Sequence, residues 1–196
     1  MKTDLEFHPL TAERWADLEQ LFGSRGACGG CWCMWWRLKR AEFNRMKGEG
    51  NRHAFKRIVD SGEIPGIVAY ADGQPVAWCA VAPREVYSGL ERSRTLKRID
   101  DKPVWSVVCF FVAKQFRGKG ITGKLLKAAL EHVRKQGGKI VEAYPVEPEK
   151  GRIPDVHAYT GLASTFRKAG FVEVLRRSKT RPIMRYFIEE KHISKA

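Results

Sequence analysis

The sequence lacks an apolar run long enough to cross a membrane. Its longest mainly apolar stretch, residues 104–113, reaches about half of the ~20 residues that a spanning helix needs. The first residues also lack the apolar core of a signal peptide. We therefore expect a protein that makes no membrane contact and works in the cytoplasm.

Cysteine is scarce, and its number is odd. Five cysteines in 196 residues do not form the paired framework of a disulfide-rich domain, so we expect reduced thiols. Cys28, Cys31 and Cys33 form one compact group, which His53 could complete as a tetrahedral zinc set. Zinc modules show two spaced pairs, and a second pair is missing. We expect no bound metal and read the group as small core residues or as the lining of a substrate pocket.

Acidic residues are outnumbered, because 22 Asp and Glu stand against 36 Lys and Arg and give a net charge of +14. Such a charge favours anionic partners, either a nucleic acid or a phosphorylated cofactor. No helix-turn-helix, zinc-finger or aromatic RNA-binding pattern is present, so we do not expect nucleic acid. The length and a 43% hydrophobic content predict one domain, residues 1–196, with a core of its own.

Hydrophobic periodicity predicts a mixed α/β (α+β) fold. Residues 104–113 are typical of a central strand covered on both faces. The stripe of Ile121, Leu125, Ala129 and Val133 predicts an amphipathic helix directly after that strand. Further helices are expected from Thr11, from Asn51 as a cap, and at 158–168. The other strands are expected at 5–8, 66–71, 75–82, 139–144, 171–176 and 183–188. The predicted order is β-α-α-β-β-β-α-β-α-β-β, a mixed sheet with helices on both faces.

The turn between that central strand and its helix is rich in glycine. The turn and the first helical residues read Arg117, Gly118, Lys119, Gly120, Ile121, Thr122 and Gly123. The first N–H groups of a helix have no partner inside the helix, and with the helix dipole they form a site for a pyrophosphate. The turn is not a P-loop, because Lys124 is followed by Leu125 where a Ser or Thr would be needed.

The segment from Arg117 to Thr122 resembles the Arg/Gln-x-x-Gly-x-Gly/Ala signature of the GNAT acetyltransferase superfamily, with Thr122 in place of the last small residue. Residues 166–171 are similar to that superfamily's Tyr-x-x-x-Gly-Phe. The resemblance implies a GNAT fold that binds acetyl-CoA through residues 117–123 and through main-chain groups at Phe111 and Val112. It also implies transfer of the acetyl group to an amine of a small molecule or a protein. A homodimer is compatible with it.

Two departures from the family pattern concern the proton transfers. Phe166 replaces the tyrosine that serves many relatives as general acid, and residues 104–113 contain no carboxylate to serve as general base. Glu142 and Tyr144, two positions apart on one face of a strand, are the next candidates, and Tyr159 is a substitute acid. The alternative for Glu142 is that it is a salt-bridged residue of the sheet. The alternative for the tyrosines is that they are half-buried side chains without a catalytic role. The possibility that the protein binds acyl-CoA without catalysing a transfer therefore stays open.

A tryptophan-rich block is the candidate acceptor site. Residues 31–37, together with 181–185, resemble a bacterial branch of the same superfamily. In relatives the segment between the first helices overlies the thioester, which implies that Trp32, Trp35 and Trp36 line the acceptor pocket. Aromatic faces suit an acceptor that carries an amine. The alternative is that these side chains cap the core.

Overall fold

Residues 4–149 and 153–189, which the computed structural model describes, are built around one mixed sheet of seven strands. The predicted mixed sheet is thereby confirmed. The strands are β1 (Leu5–Pro9), β2 (Gly66–Ala71), β3 (Gln74–Pro83), β4 (Trp105–Val112), β5 (Ile140–Ala143), β6 (Val172–Arg176) and β7 (Pro182–Phe187). The remaining residues, including 150–152 of the chain between β5 and β6, lie outside this description.

The order of the strands across the sheet is β1-β2-β3-β4-β5-β7-β6. Among the described strands, β4 and β5 form the one parallel pair, with Trp105 opposite Val141 and Val107 opposite Ala143. β5 then ends, whereas β4 continues to Val112. Beyond Val107 the edge of β4 therefore has no strand partner on this side, and the region beside this edge is called the cleft below.

Six helices cover the two faces of the described sheet. They are α1 (Trp15–Phe22), α2 (Arg40–Arg45), α3 (Glu49–Asp60), α4 (Ser88–Glu91), α5 (Ile121–Lys135) and α6 (Ala163–Lys168). The first four contribute to one hydrophobic core, and α5 and α6 contribute to a second core on the opposite face. No helix in the described part of the chain is both long enough and apolar enough to span a bilayer.

Two predicted helix starts were wrong. Asn51 does not cap α3, which begins at Glu49; Asn51 is buried within it, and its Nδ2 donates to the carbonyl of Gly30 at 3.0 Å. The helix expected from residue 158 begins only at Ala163. Gly161 has φ +82°, a left-handed conformation that a right-handed helix cannot contain. The residues before α6 are therefore free to form an irregular segment, 158–162, beside the cleft.

Candidate functional site

The glycine-rich turn leaves its backbone accessible. Gly118 and Gly120 both have φ +73°, and a Cβ built on either would meet no other atom within 4 Å. Gly120 immediately precedes α5, so the unpartnered N–H groups of the first helical turn face this open space. The site can accept an anion in direct contact with the main chain, and the positive end of the helix dipole favours it.

Four side chains contribute to the shape of this turn. Arg117 extends back along the chain, and its Nε donates to the carbonyl of Val112 at 2.9 Å. Ile121 is buried and anchors the start of α5 in the core. The ring of Phe116 lies 5.2 Å below Nζ of Lys119. The turn is thus held by the core on one side and carries fixed positive charge on the other.

The α5 helix packs closely on α6 at Gly123, where an added Cβ would lie 4.0 Å from Cγ2 of Thr165. Thr122 is half-buried beside it. Exposed lysines surround the helix start, namely Lys114, Lys119, Lys124 and Lys127. Cations at the positive end of a helix dipole favour the binding of an anion, and the pyrophosphate site itself stays a prediction.

A bulge in β4 lies at the mouth of the cleft. Ala80 pairs with Cys109 and Val81 pairs with Val107, so Val108 is an extra residue on β4. Beyond the bulge, the N–H of Phe110 points away from β3 and donates to the carbonyl of Tyr159 at 2.6 Å. The carboxyl end of β4, including the half-buried Phe111 and Val112, therefore faces the 158–162 segment where β5 has turned away.

Glu142 and Tyr144 are brought into direct contact, at the centre of a buried polar network. Oη of Tyr144 donates to Oε1 of Glu142 at 2.6 Å and lies 2.9 Å from Oγ of Ser106. Arg84 contacts the same carboxylate oxygen at 3.3 Å, and Nε of Arg185 donates to the other oxygen at 2.8 Å. All five residues are buried.

The surroundings of Glu142 favour a structural task. Its side chain is 1% exposed, and both oxygens accept hydrogen bonds from arginines. Burial raises the pKa of the Tyr144 phenol, and the negative charge of Glu142 raises it further. The network reaches the surface through Asp100, which pairs with Arg185 at 2.7 and 2.9 Å. This geometry suits a rigid support beneath the cleft better than contact with a substrate.

Tyr159, in contrast, lies at the cleft itself. Its carbonyl is bonded to β4, and the side chain is half-buried. Burial raises the pKa of its phenol, the positive charge of Arg181 opposes that rise, and the thiols of Cys109 and Cys31 add to it. The main chain of Tyr159 is thus joined to the edge of β4, and Arg181, in the turn between β6 and β7, is the positive charge that acts on its phenol.

The three predicted acceptor tryptophans have different environments. Trp32 is 4% exposed and stacks on Trp15 at 6.0 Å, which favours a role in the core. Trp35 is 37% exposed, with the guanidinium of Arg40 4.1 Å above its ring. Trp36 is half-buried, and its Nε1 is enclosed without a hydrogen-bond partner among the described residues. Trp35 is therefore the most exposed of the three, and Trp36 has an enclosed, unpaired N–H.

The cysteines are distributed between surface and core. Cys28 is exposed, Cys31 is half-buried, and Cys33 is buried, with its sulfur accepting a bond from Nε1 of Trp78 at 3.0 Å. Within residues 4–149 and 153–189, no three His, Cys, Asp or Glu side chains are grouped as a metal site would require. The expected absence of metal stays a prediction.

Sequence reasoning missed three arginines at the site: Arg84, Arg181 and Arg185. Arg181 and Arg185 belong to residues 181–185, whose resemblance to a bacterial branch of the superfamily implies no catalytic or binding role for either arginine. Arg84 carried no signal, because it follows β3 in a charged connection where arginines are usually solvated.

A comparison with protein families matches residues 32–159 to the acetyltransferase (GNAT) family. The matched range contains β4, the glycine-rich turn, α5, β5 and Tyr159. No curated protein sequence matches the chain significantly.

Solved structures with low sequence identity have a similar fold. PaiA N-acetyltransferase from Thermoplasma acidophilum, in complex with coenzyme A, is 16% identical (94% of this chain, 99% of that chain, TM-score 0.52). A polyamine N-acetyltransferase from Drosophila melanogaster is 12% identical (94% and 100%, TM-score 0.57). A ribosomal-protein-alanine N-acetyltransferase from Brucella melitensis is 16% identical (93% and 99%, TM-score 0.53). At these identities the likeness concerns the fold.

Proposed function

The chain belongs to the GNAT acetyltransferase family, and from this premise we propose that it transfers an acetyl group from acetyl-CoA to a primary amine. The observation that supports this most strongly is the open glycine-rich turn at the start of α5. In it, main-chain N–H groups, a helix dipole and exposed lysines converge on space that a Cβ at Gly118 or Gly120 would enter.

Residues 117–123 would hold the pyrophosphate of acetyl-CoA. Gly118 and Gly120 admit the phosphate oxygens to the backbone, and Thr122 adds a hydroxyl. Arg117 shapes the turn through its bond to Val112, and Lys119 contributes charge. The pantetheine arm would follow the free edge of β4 at Phe111 and Val112, where β5 no longer pairs with it. The bound thioester supplies an activated acetyl carbon.

We assign Tyr159 as the proton donor. As the amine nitrogen bonds to the acetyl carbon and the carbon–sulfur bond breaks, Oη of Tyr159 gives its proton to the sulfur and regains one from solvent. A tyrosine phenol is protonated at neutral pH, as a general acid requires. The amine loses its own proton to water. Glu142 and Tyr144 are assigned to the buried support that fixes the end of β5.

The acceptor is proposed as a primary amine on a small molecule or a protein. The Drosophila relative is named for polyamines and the Brucella relative for a ribosomal protein, so both classes belong in the search. Trp35 and Trp36 are the residues proposed to contact it. The aromatic face of Trp35 already holds a guanidinium, that of Arg40, which shows that it accommodates a cation.

The test is an acetyl-CoA-dependent screen of small amines and peptide N-termini, read by release of the coenzyme A thiol. Turnover with at least one amine, abolished in Gly120→Asp, would support the proposal. Calorimetric binding of acetyl-CoA without turnover on any amine would favour a non-catalytic acyl-CoA-binding protein. Absence of binding would overturn both readings.

A further inference from the structure

Arg181, in the turn between β6 and β7, joins three segments that meet at the cleft. Its Nη1 donates to the carbonyl of Tyr144 at 3.3 Å and to Oγ1 of Thr160 at 3.0 Å. Tyr144 directly follows β5, and Thr160 directly follows Tyr159. A single guanidinium therefore connects the end of β5, the 158–162 segment and the β6–β7 turn.

The contact at Thr160 fixes Tyr159 from the side opposite to β4. Thr160 is fully buried, so its hydroxyl depends on Arg181 for a partner in place of water. On the other side, the carbonyl of Tyr159 accepts the N–H of Phe110 at 2.6 Å. The main chain at Tyr159 and Thr160 is thus held by β4 and by Arg181.

We propose that Arg181 is a positioning residue of this transferase, which clamps the 158–162 segment so that the Tyr159 phenol faces the reacting groups. The inference rests on the proposed function, in which Tyr159 donates the proton. The guanidinium also acts on the phenol directly: burial raises the pKa of Tyr159, and the charge and hydrogen bond of Arg181 counteract that rise. Arg181 therefore controls both the place and the acidity of the donor.

Two features distinguish this clamp from an ordinary surface arginine. The guanidinium is half-buried and contacts a main-chain carbonyl and a side-chain hydroxyl from separate segments. A planar group with several donors can bridge such partners, whereas a lysine ammonium is a compact point charge on a flexible stem. Arg177 in the same turn provides a contrast, because it donates to the carbonyls of Lys97 and Arg98 at 2.6 and 3.3 Å, on a different connection.

The kinetic test compares Arg181→Gln and Arg181→Lys with the control Arg177→Gln. A misplaced donor should lower kcat by about tenfold or more in Arg181→Gln, with a smaller loss in Arg181→Lys. The KM for acetyl-CoA should stay nearly constant. In a Tyr159→Phe background, Arg181→Gln should cost less than about twofold further, because the two residues act as a unit. Arg177→Gln should retain the wild-type kcat.

A second readout does not depend on turnover. With ¹³C-labelled tyrosine, the NMR signal missing in Tyr159→Phe identifies Tyr159, and its titration gives the pKa of the phenol. Removing the opposing cation in Arg181→Gln should move this pKa upward, whereas Arg177→Gln should leave it in place. Cys109 and Cys31, the other titratable groups that act on the phenol, are unchanged in both variants.

The outcomes separate the two proposals. Wild-type kcat in Tyr159→Phe would overturn the proton-donor assignment and, with it, the catalytic meaning of the clamp. Loss of kcat in Tyr159→Phe, with unchanged kcat in both Arg181 variants and an unchanged Tyr159 titration in Arg181→Gln, would overturn the clamp alone. If Arg181→Gln does not fold, the kinetic comparison rests on Arg181→Lys, and a wild-type kcat in that variant would overturn the clamp.

Discussion

The main-chain N–H of Phe110 donates a hydrogen bond to the carbonyl of Tyr159 at 2.6 Å. This bond joins β4, just beyond its bulge, to a segment 49 residues later in the chain. It occupies a position that β5 would have filled had it continued beside β4. The 158–162 segment is therefore part of the wall of the cleft, and its conformation sets the shape of the site.

The first prediction concerns that segment. In Gly161→Ala the alanine would have to adopt φ +82°. Its new Cβ would lie 2.7 Å from Cε2 of Phe166. Gly62→Ala is a matched control, because Gly62 has φ +87° with nothing within 4 Å. The control should lose ~1–2 kcal/mol for the left-handed backbone alone. Gly161→Ala should lose a further ~1–3 kcal/mol for overpacking, together with most of its turnover. Equal urea midpoints for the two variants would contradict the close packing at Gly161.

The second prediction concerns the cofactor. Gly120→Asp places a carboxylate in the open space before α5, where it would repel a pyrophosphate and block access to the N–H groups. Loss of two or three charge-assisted bonds, at ~1.5–3 kcal/mol each, should weaken acetyl-CoA binding by at least ~100-fold in calorimetry.

Gly137→Asp is the control for this change. Gly137 lies beyond the other end of α5, with φ +77° and nothing within 4 Å of an added Cβ, so the backbone strain is comparable. It should melt lower than wild type yet bind acetyl-CoA normally. Comparable acetyl-CoA affinities in the two variants would contradict the assignment of residues 117–123 to cofactor binding.

The elements around the proposed cofactor site can be predicted from the sequence because they are contiguous. The apolar run of β4, the glycine-rich turn and the stripe of α5 follow one another within about thirty residues, and local periodicity determines each of them. The contacts that form the rest of the site depend on the order of the strands in the sheet. A local sequence pattern does not determine that order. Arg185 meets Glu142 only because β7 lies between β5 and β6 in the sheet.

The predicted starts of two helices were wrong for a related reason. The pattern around 158–168 is helical in its apolar spacing, but the left-handed Gly161 and the bond from β4 to Tyr159 hold the first part in another conformation. Trp32 is largely buried, and its assignment to the acceptor pocket stays a prediction. Its ring packs against the backbone at Gly26, where a Cβ would lie 2.2 Å from Nε1. Tertiary contacts overrode the local preference at both helix starts.

The third prediction separates the tryptophans. Trp32→Ala removes a side chain buried against Trp15 and Phe22 and should cost ~3–5 kcal/mol, with a fall of many degrees in melting temperature. Trp35→Ala removes a partly exposed ring with its contacts to Arg40 and to the buried Phe43, which should cost about 1–2.5 kcal/mol. It should raise the acceptor KM while acetyl-CoA affinity holds. Unchanged acceptor kinetics in Trp35→Ala would exclude that residue from the acceptor site.

The fourth prediction concerns pH. The guanidinium of Arg185 hydrogen-bonds Asp100 and lowers the pKa of that carboxyl from 3.8 to about 2. A carboxyl whose folded-state pKa is depressed stabilises the native state fully above its unfolded pKa and loses that contribution as pH falls through the folded pKa. The Arg185–Asp100 pair should therefore stabilise the protein above pH ~4 and cease to do so near pH 2.

Urea unfolding of wild type, Asp100→Asn and Asp101→Asn between pH 6 and 2 tests this window. Asp101 is exposed and forms no ion pair within the described residues, so its variant should follow wild type throughout. Asp100→Asn should be less stable than wild type above pH ~4, because Arg185 then keeps only Glu142 as a charged partner, and the gap should close toward pH 2. A gap that persists unchanged to pH 2 would mean that the asparagine disturbs packing and that the Asp100 charge contributes nothing.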